Sequence, residues 1–391
     1  MTASSVMGGG EPSHPQVAAI TVCSLLLMIS GALWSFVVAV LAPTLLEEFR
    51  LSPSLLGVTF SAYFIAATLS TRLAGRLVDR YGSFRSAWLL LGLAVGQIGS
   101  LAVARSWWHL ILSGTIGGIC LTMTNPVTNS MVATTLGGRA ARSAIGIKQA
   151  GIPLSAALAG LLIPTATSTL GWRLAVSSTL LIPCLAAILM LLVRERDRRI
   201  PSSTAPATSP RSGLGSYAFF MGMIASGLSG YLALYVVTVF AGSLQRAGLL
   251  VAVLATSSIV GQILWAMVGG GRRTHPILRT LALVGFVTLA ILASSPVEWS
   301  VWIAVGVTGL TVFSWQGLGM LALVEEGSGS TIGAVSGRIM RRFYLGFVIG
   351  SPLIGSIIER VGFRSAWLLL SAVSLAGAAS LRRPSSSAIR S

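Results

Sequence analysis

Twelve apolar stretches run through this chain, each about as long as a helix must be to cross a bilayer, with short polar breaks between them. They start with Val17–Pro43 and continue at about 54–76, 86–104, 108–133, 142–164 and 173–193. After one longer break they resume at about 216–242, 248–269, 277–295, 299–323, 335–358 and 365–382. The runs exceed strand length and lack period-two alternation, and hydrocarbon excludes open sheet edges. The expected fold class is an all-α membrane protein with twelve transmembrane helices in two pseudo-symmetric six-helix bundles. Composition closes the other routes. Only 9% of the 391 residues are charged, against about 25% in a soluble domain. With 54% of residues hydrophobic the chain is not a disordered one either.

The net charge of +17 does not point to nucleic acid. A nucleic-acid binder gathers its charge on a polar face, whereas here arginines punctuate apolar runs. No nucleic-acid partner is expected; the bilayer and a small-molecule substrate are. Cys23, Cys120 and Cys184 lie inside apolar runs without metal-ligand spacing, so no metal or cofactor is expected. The first run is too long for a signal-peptide core and no basic residue precedes it, so it reads as a retained helix.

The longest polar segment, RERDRRIPSSTAPATSPRSG from Arg194, separates the two sets of six. The expected layout is a disordered tail 1–16, a bundle 17–193, a linker 194–214, a second bundle 215–382 and a tail 383–391. With both termini cytoplasmic, twenty arginines fall on inside segments and six (Arg50, Arg105, Arg173, Arg246, Arg360, Arg364) on outside loops. That split follows the positive-inside rule and predicts a multi-pass protein of the cell membrane.

The two halves repeat. Shifting GRAARSAIGIKQAGIPL by 199 residues aligns Gly138 with Gly337, Arg139 with Arg338, Arg142 with Arg341, Gly151 with Gly350 and Pro153 with Pro352. Further on, Gly171-Trp172-Arg173 matches Gly362-Phe363-Arg364. Duplicated six-helix units are a transporter architecture, with the substrate held between the halves.

Between the second and third stretches stands Gly75-Arg-Leu-Val-Asp79-Arg80-Tyr-Gly82-Ser-Phe-Arg85. It resembles the loop motif of the major facilitator superfamily. Gly75 suits close helix approach, Gly82 a tight turn, and Asp79 can meet the positive end of a neighbouring helix. The resemblance implies a latch in the outward-facing state, with Asp79 facing the start of the eleventh helix near Gly337, Arg338 and Arg341, while Arg80 and Arg85 stay at the cytoplasmic surface. The other reading of the motif is a plain turn with a solvated ion pair. The second-half counterpart, ending in Gly270-Gly-Arg272-Arg273, has no acid. The GIKQAGIPL and GWR segments also resemble bacterial family members that carry small organic anions or have no assigned substrate. Ser113 stands where many members carry an arginine before Gly117-Gly118, and the glycine-proline pattern of antiporters is only partly met by Gly151-Ile-Pro153.

All ten acids lie in loops, tails or helix ends. Lys148 is different: it falls about six residues inside the fifth stretch, where a lysine faces either a wet cavity or, by snorkelling, the headgroups. In a cavity it can attract an anion, with Gln149 beside it and Arg342 and Tyr344 arriving from the other half. Asn125 and Asn129 share a face of the fourth helix, and Pro126 frees a carbonyl there. The family's path is lined by helices 1, 4, 7 and 10, which implies Trp34, Tyr235, Trp315 and Gln316 as further pocket residues. The expected function is a monomeric secondary transporter of a small polar solute, an organic anion, with proton coupling, uniport and exchange left open. Efflux of an apolar or drug-like compound is the alternative. A membrane enzyme or a non-transporting sensor is the reading from another class. An enzyme would need His, Asp, Glu or Cys clustered at one depth, and the sequence shows none.

Overall fold

A computed structural model describes residues 14–192, 213–269, 274–294, 297–326 and 332–381. Among the described residues the secondary structure is helical and no strand occurs. Twelve helices are long and apolar enough to span a membrane. In the first half they are α1 (Pro15–Val40), α2 (Pro53–Tyr81), α3 (Ser83–Ala102), α4 (Trp107–Thr135), α5 (Gly138–Leu170) and α6 (Trp172–Leu192). In the second they are α7 (Leu214–Val239), α8 (Leu244–Trp265), α9 (Thr274–Ser294), α10 (Glu298–Gly319), α11 (Gly337–Val361) and α12 (Phe363–Ser380). The expected linker from 194 to 212, Arg272 and Arg273, and the tails 1–13 and 382–391 lie outside the described residues.

Several boundaries differ from expectation for local reasons. The first helix begins at His14, inside the segment expected as tail, because Pro15 sits in its opening turn, where a missing N–H costs nothing. The first run was expected to continue to Pro43, but α1 ends before it. Pro43 instead opens a short helix, Ala42–Glu48. Within α5 the helix breaks between Gln149 and Gly151. Pro153 has no N–H for the Gln149 carbonyl, so the ladder fails one residue past Lys148. Pro183 does the same to Thr179 within α6, which separates Trp172–Ser178 from Leu181–Leu192. A 3₁₀ turn at Val312–Ser314 interrupts α10 just before Trp315.

Tight reversals recur where glycine takes a positive φ: Gly82 at 85° joins α2 to α3, Gly171 at 80° joins α5 to α6, and Gly362 at 92° joins α11 to α12. Each is followed by a helix-opening segment that carries an arginine within three residues. A Cβ is strained at such φ values, so these turns require glycine.

α1 and α7 are the most enclosed helices and run through the two bundles. The bundles meet along two seams, α2 with α11 and α5 with α8. Even helix number places His14 and Leu381 at one end of the molecule, here the terminal end; the other is the far end.

Candidate functional site

The far end is shut. Gly160 on α5 and Gly248 on α8 are so close that a Cβ on either would strike the other's carbonyl. Gly57 packs on Ser351 and Pro352, and Gly355 on Pro53, which seals α2 against α11. Small residues let membrane helices approach in this way. Polar contacts add to the seal. The Tyr231 hydroxyl lies 3.0 Å from the Pro53 carbonyl and 2.8 Å from that of Ser351. The Ser61 hydroxyl donates to the Val348 carbonyl at 2.7 Å, and that of Ser54 to Glu359 Oε2 at 2.5 Å. Nearer the middle, Phe64 meets Phe347 and Tyr344, with ring centroids 4.0 and 5.8 Å apart.

The terminal end is parted. A Cβ at Gly75, Gly146 or Gly337 would meet nothing within 4 Å. At this end Asp79 makes no ion pair with Arg338 or Arg341 of the other half. Two ion pairs lie at the far end, each within a single half: Arg173 with Glu48 at 2.7 Å and Arg246 with Glu298 at 3.5 Å. The state is open toward the termini.

Lys148 is fully buried, and its Nζ lies 3.3 Å from Asn125 Oδ1 on α4. The side chain therefore runs across to α4 and not out along α5 to the helix end. Asn125 is half-buried and Asn129, one turn toward the terminal end, is exposed. Gln149 is exposed beside the break in α5 and does not join this pair. An ammonium carries three donors, and Nζ has one acceptor among the described residues.

The other expected pocket residues are placed differently. Trp34 is buried in the first bundle; its indole N–H donates to Ser113 Oγ at 2.9 Å and its ring stacks on Tyr63 at 5.0 Å. Ser113, which stands in place of the expected arginine, is thus a partner of Trp34. Trp315 is buried between Tyr217 and Phe343, each 5.6 Å away, and Gln316 beside it is half-buried. Tyr235 is corrected. Its hydroxyl donates to the Leu292 carbonyl at 3.1 Å, and its ring packs on Phe240, Phe363 and Trp367. It braces α7 against α9 and α12 inside one bundle and does not line a path. Arg342 lies over Gly215 in a notch of about 260 Å³ lined also by Ser216, Phe219 and Phe220, not beside Lys148.

The expected latch is not formed in this state. Asp79 is exposed, Arg341 is exposed, Arg338 is half-buried, and no ion pair links Asp79 to either. Gly75 faces open space and not a close neighbour, Arg80 lies over the Tyr81 ring at 5.4 Å, and Arg85 is exposed. All of these sit at the parted end, so a latch through them belongs to the opposite state.

Sequence reasoning missed the aromatic band between the halves. Rings connect Trp34, Tyr63, Phe64, Phe347, Phe343 and Trp315 at centroid distances of 4.0 to 5.6 Å. The signal was present as paired aromatics in Tyr63-Phe64 and Phe343-Tyr344. They sit on helices that the internal repeat does not equate, so the alignment of halves did not bring them together.

A family model described as Major Facilitator Superfamily matches residues 23–341. The chain belongs to the Major Facilitator Superfamily. It is a multi-pass membrane transporter. The superfamily fold also appears in solved structures. A bacterial homolog of the human lysosomal transporter Spinster, inward-facing and occupied, is 17% identical with a TM-score of 0.73 over 95% of each chain. The human organic anion transporter MFSD10 (TETRAN) is 17% identical with a TM-score of 0.68 over 95% of this chain and 100% of that one. A point mutant of the nucleoside transporter NupG is 14% identical with a TM-score of 0.69 over 93% of this chain and 98% of that one. Among curated proteins, the Gallate transporter of Pseudomonas putida is 28% identical over 195 residues, 48% of this chain and 42% of that protein. The match therefore spans less than half of that relative's length.

Proposed function

We propose that this superfamily transporter carries a small organic anion, an aromatic carboxylate, across the cell membrane by alternating access, as a monomer with both termini in the cytoplasm. The observation that carries the reading is Lys148, a fully buried lysine with one described acceptor. A buried cation without a carboxylate partner is destabilising, so its place is best explained by a ligand that supplies the charge. An incoming carboxylate would take the Asn125 Oδ1 position at Nζ, while Asn129 and the aromatic band offer hydrogen bonds and ring faces to the rest of the molecule. The partial match to a gallate transporter supports an aromatic acid, and the arginine split supports cytoplasmic termini. Asp79, Arg80, Arg338 and Arg341 would close the terminal end in the opposite state.

Uptake of labelled gallate by the full chain in proteoliposomes tests this. Lys148→Gln should lower uptake at least about tenfold, the equivalent of one lost charge-assisted hydrogen bond. Lys148→Met should raise the thermal midpoint by a few degrees, because it removes an uncompensated buried charge. Unchanged uptake in Lys148→Gln would take Lys148 out of the site. It would also favour efflux of an apolar compound along the aromatic band.

A further inference from the structure

The inference rests on the anion-site reading above and concerns what the empty site can do. The inner part of α5 that bears Lys148 packs on α1 and α4. Between Pro15 and Val40, α1 has no ionisable side chain except Cys23. α4 brings His109, at the far end, and Cys120. α5 itself adds Arg139 and Arg142, of the same sign as Lys148. Among the described residues Lys148 has no ion pair with a carboxylate, and Asn125 Oδ1 is its one acceptor.

Alternating access passes through a state with both ends shut. An ammonium without a counter-charge is strongly disfavoured there, whereas one paired to a carboxylate is tolerated. Net co-transport of a proton would instead require Lys148 to shed its proton in every cycle. Among the described residues no carboxylate or imidazole stands on the packed faces to receive it.

We propose that the protein is an obligatory anion exchanger. The loaded carrier crosses the occluded state, and the empty carrier stays where it is until a second anion neutralises Lys148. One organic anion enters as one of like charge leaves, with no net movement of protons or electrons.

The test uses the full chain in proteoliposomes with external labelled gallate. Vesicles preloaded with unlabelled gallate should take up label at least about tenfold faster than buffer-loaded vesicles, and an imposed pH gradient should not quicken the latter. Equal uptake without internal anion, or uptake driven by the pH gradient, overturns exchange and leaves the anion site standing. No uptake under either loading sinks the aromatic-anion reading instead, and a second measurement then decides the exchange proposal alone. Single-molecule energy transfer between dyes at Gly137→Cys and Thr280→Cys, in a Cys184→Ser background, reports opening of the terminal end. Without ligand, Lys148→Gln should interconvert at least about tenfold faster than the chain with Lys148. Equal rates would overturn the lock.

Discussion

The two ends of the bundle interface are held by different chemistry. At the far end, backbone meets backbone through Gly57, Gly160, Gly248 and Gly355, and hydroxyls bridge to carbonyls. At the terminal end stand the charged motif residues Asp79, Arg80, Arg338 and Arg341, parted and with no ion pair from Asp79 across the halves. One end is closed by shape, and the proposed latch would close the other by charge. Shape contacts between small residues keep their strength in lipid and at any ionic strength. Exposed ion pairs are weak singly and are screened by salt. The asymmetry therefore favours the state open toward the termini unless a ligand or the charge latch pulls the other way.

The largest break in this comparison should come from Gly160→Leu. The new side chain has the backbone of Gly248 and Ala252 to push against, and overpacking of this kind costs about 1–3 kcal/mol. Far-end closure should weaken about 5- to 150-fold. Spin labels at Gly137→Cys and Thr280→Cys should report a shift toward a closed terminal end. An unshifted distribution would mean that α5 and α8 do not set the balance.

A pair of tyrosines separates interface from bundle. Tyr231→Phe removes a hydroxyl shared between Pro53 of one half and Ser351 of the other. One buried hydrogen bond is worth about 1 kcal/mol, so the open-to-closed ratio should move about fivefold. Tyr235→Phe removes a bond of similar length to Leu292, wholly inside the second bundle. It should lower thermal stability by a similar amount and leave the spin-label distances unmoved. A shift with both, or with neither, would erase the distinction between gate and brace.

Asp79→Asn probes the charged end. Asp79 makes no ion pair across the halves in this state, so the thermal midpoint measured without ligand should not change. If the latch forms in the opposite state, transport should still slow by about two- to tenfold, the range of a partly buried charge at a helix end. A fall in the ligand-free midpoint would show instead that Asp79 acts in the state described.

Much of the fold could be read from the sequence because lipid allows so few solutions: span length, arginine placement and the 199-residue repeat each bear on the same twelve helices. Lys148 could be singled out because a charge inside an apolar run is rare and costly. Its partner was less legible, since Asn125 lies 23 residues away on a neighbouring helix. Tyr235 was misplaced because its helix was expected to line the path, while helix rotation decides which face does. Nothing in the residues around 235 fixes that rotation before Phe363 and Trp367 are in place. The glycine seams were hidden for a related reason: Gly160 and Gly248 matter as a pair, and no sequence period connects α5 to α8.

The smallest effect belongs to a charged contact that crosses the halves at the far end. Ser54 donates to Glu359 through its hydroxyl at 2.5 Å and its backbone N–H at 3.4 Å. The geometry is good, yet the bonds are exposed, with Ser54 half-buried and Glu359 exposed, and water can replace either partner when the bond is lost. Ser54→Ala should therefore move the spin-label distribution by less than about twofold. Glu359→Gln, which keeps an acceptor oxygen, should move it less still. A shift from Ser54→Ala as large as that from Tyr231→Phe would place the far-end seal in its rim and not in its buried seams. The division between an end closed by shape and an end closed by charge would then no longer hold.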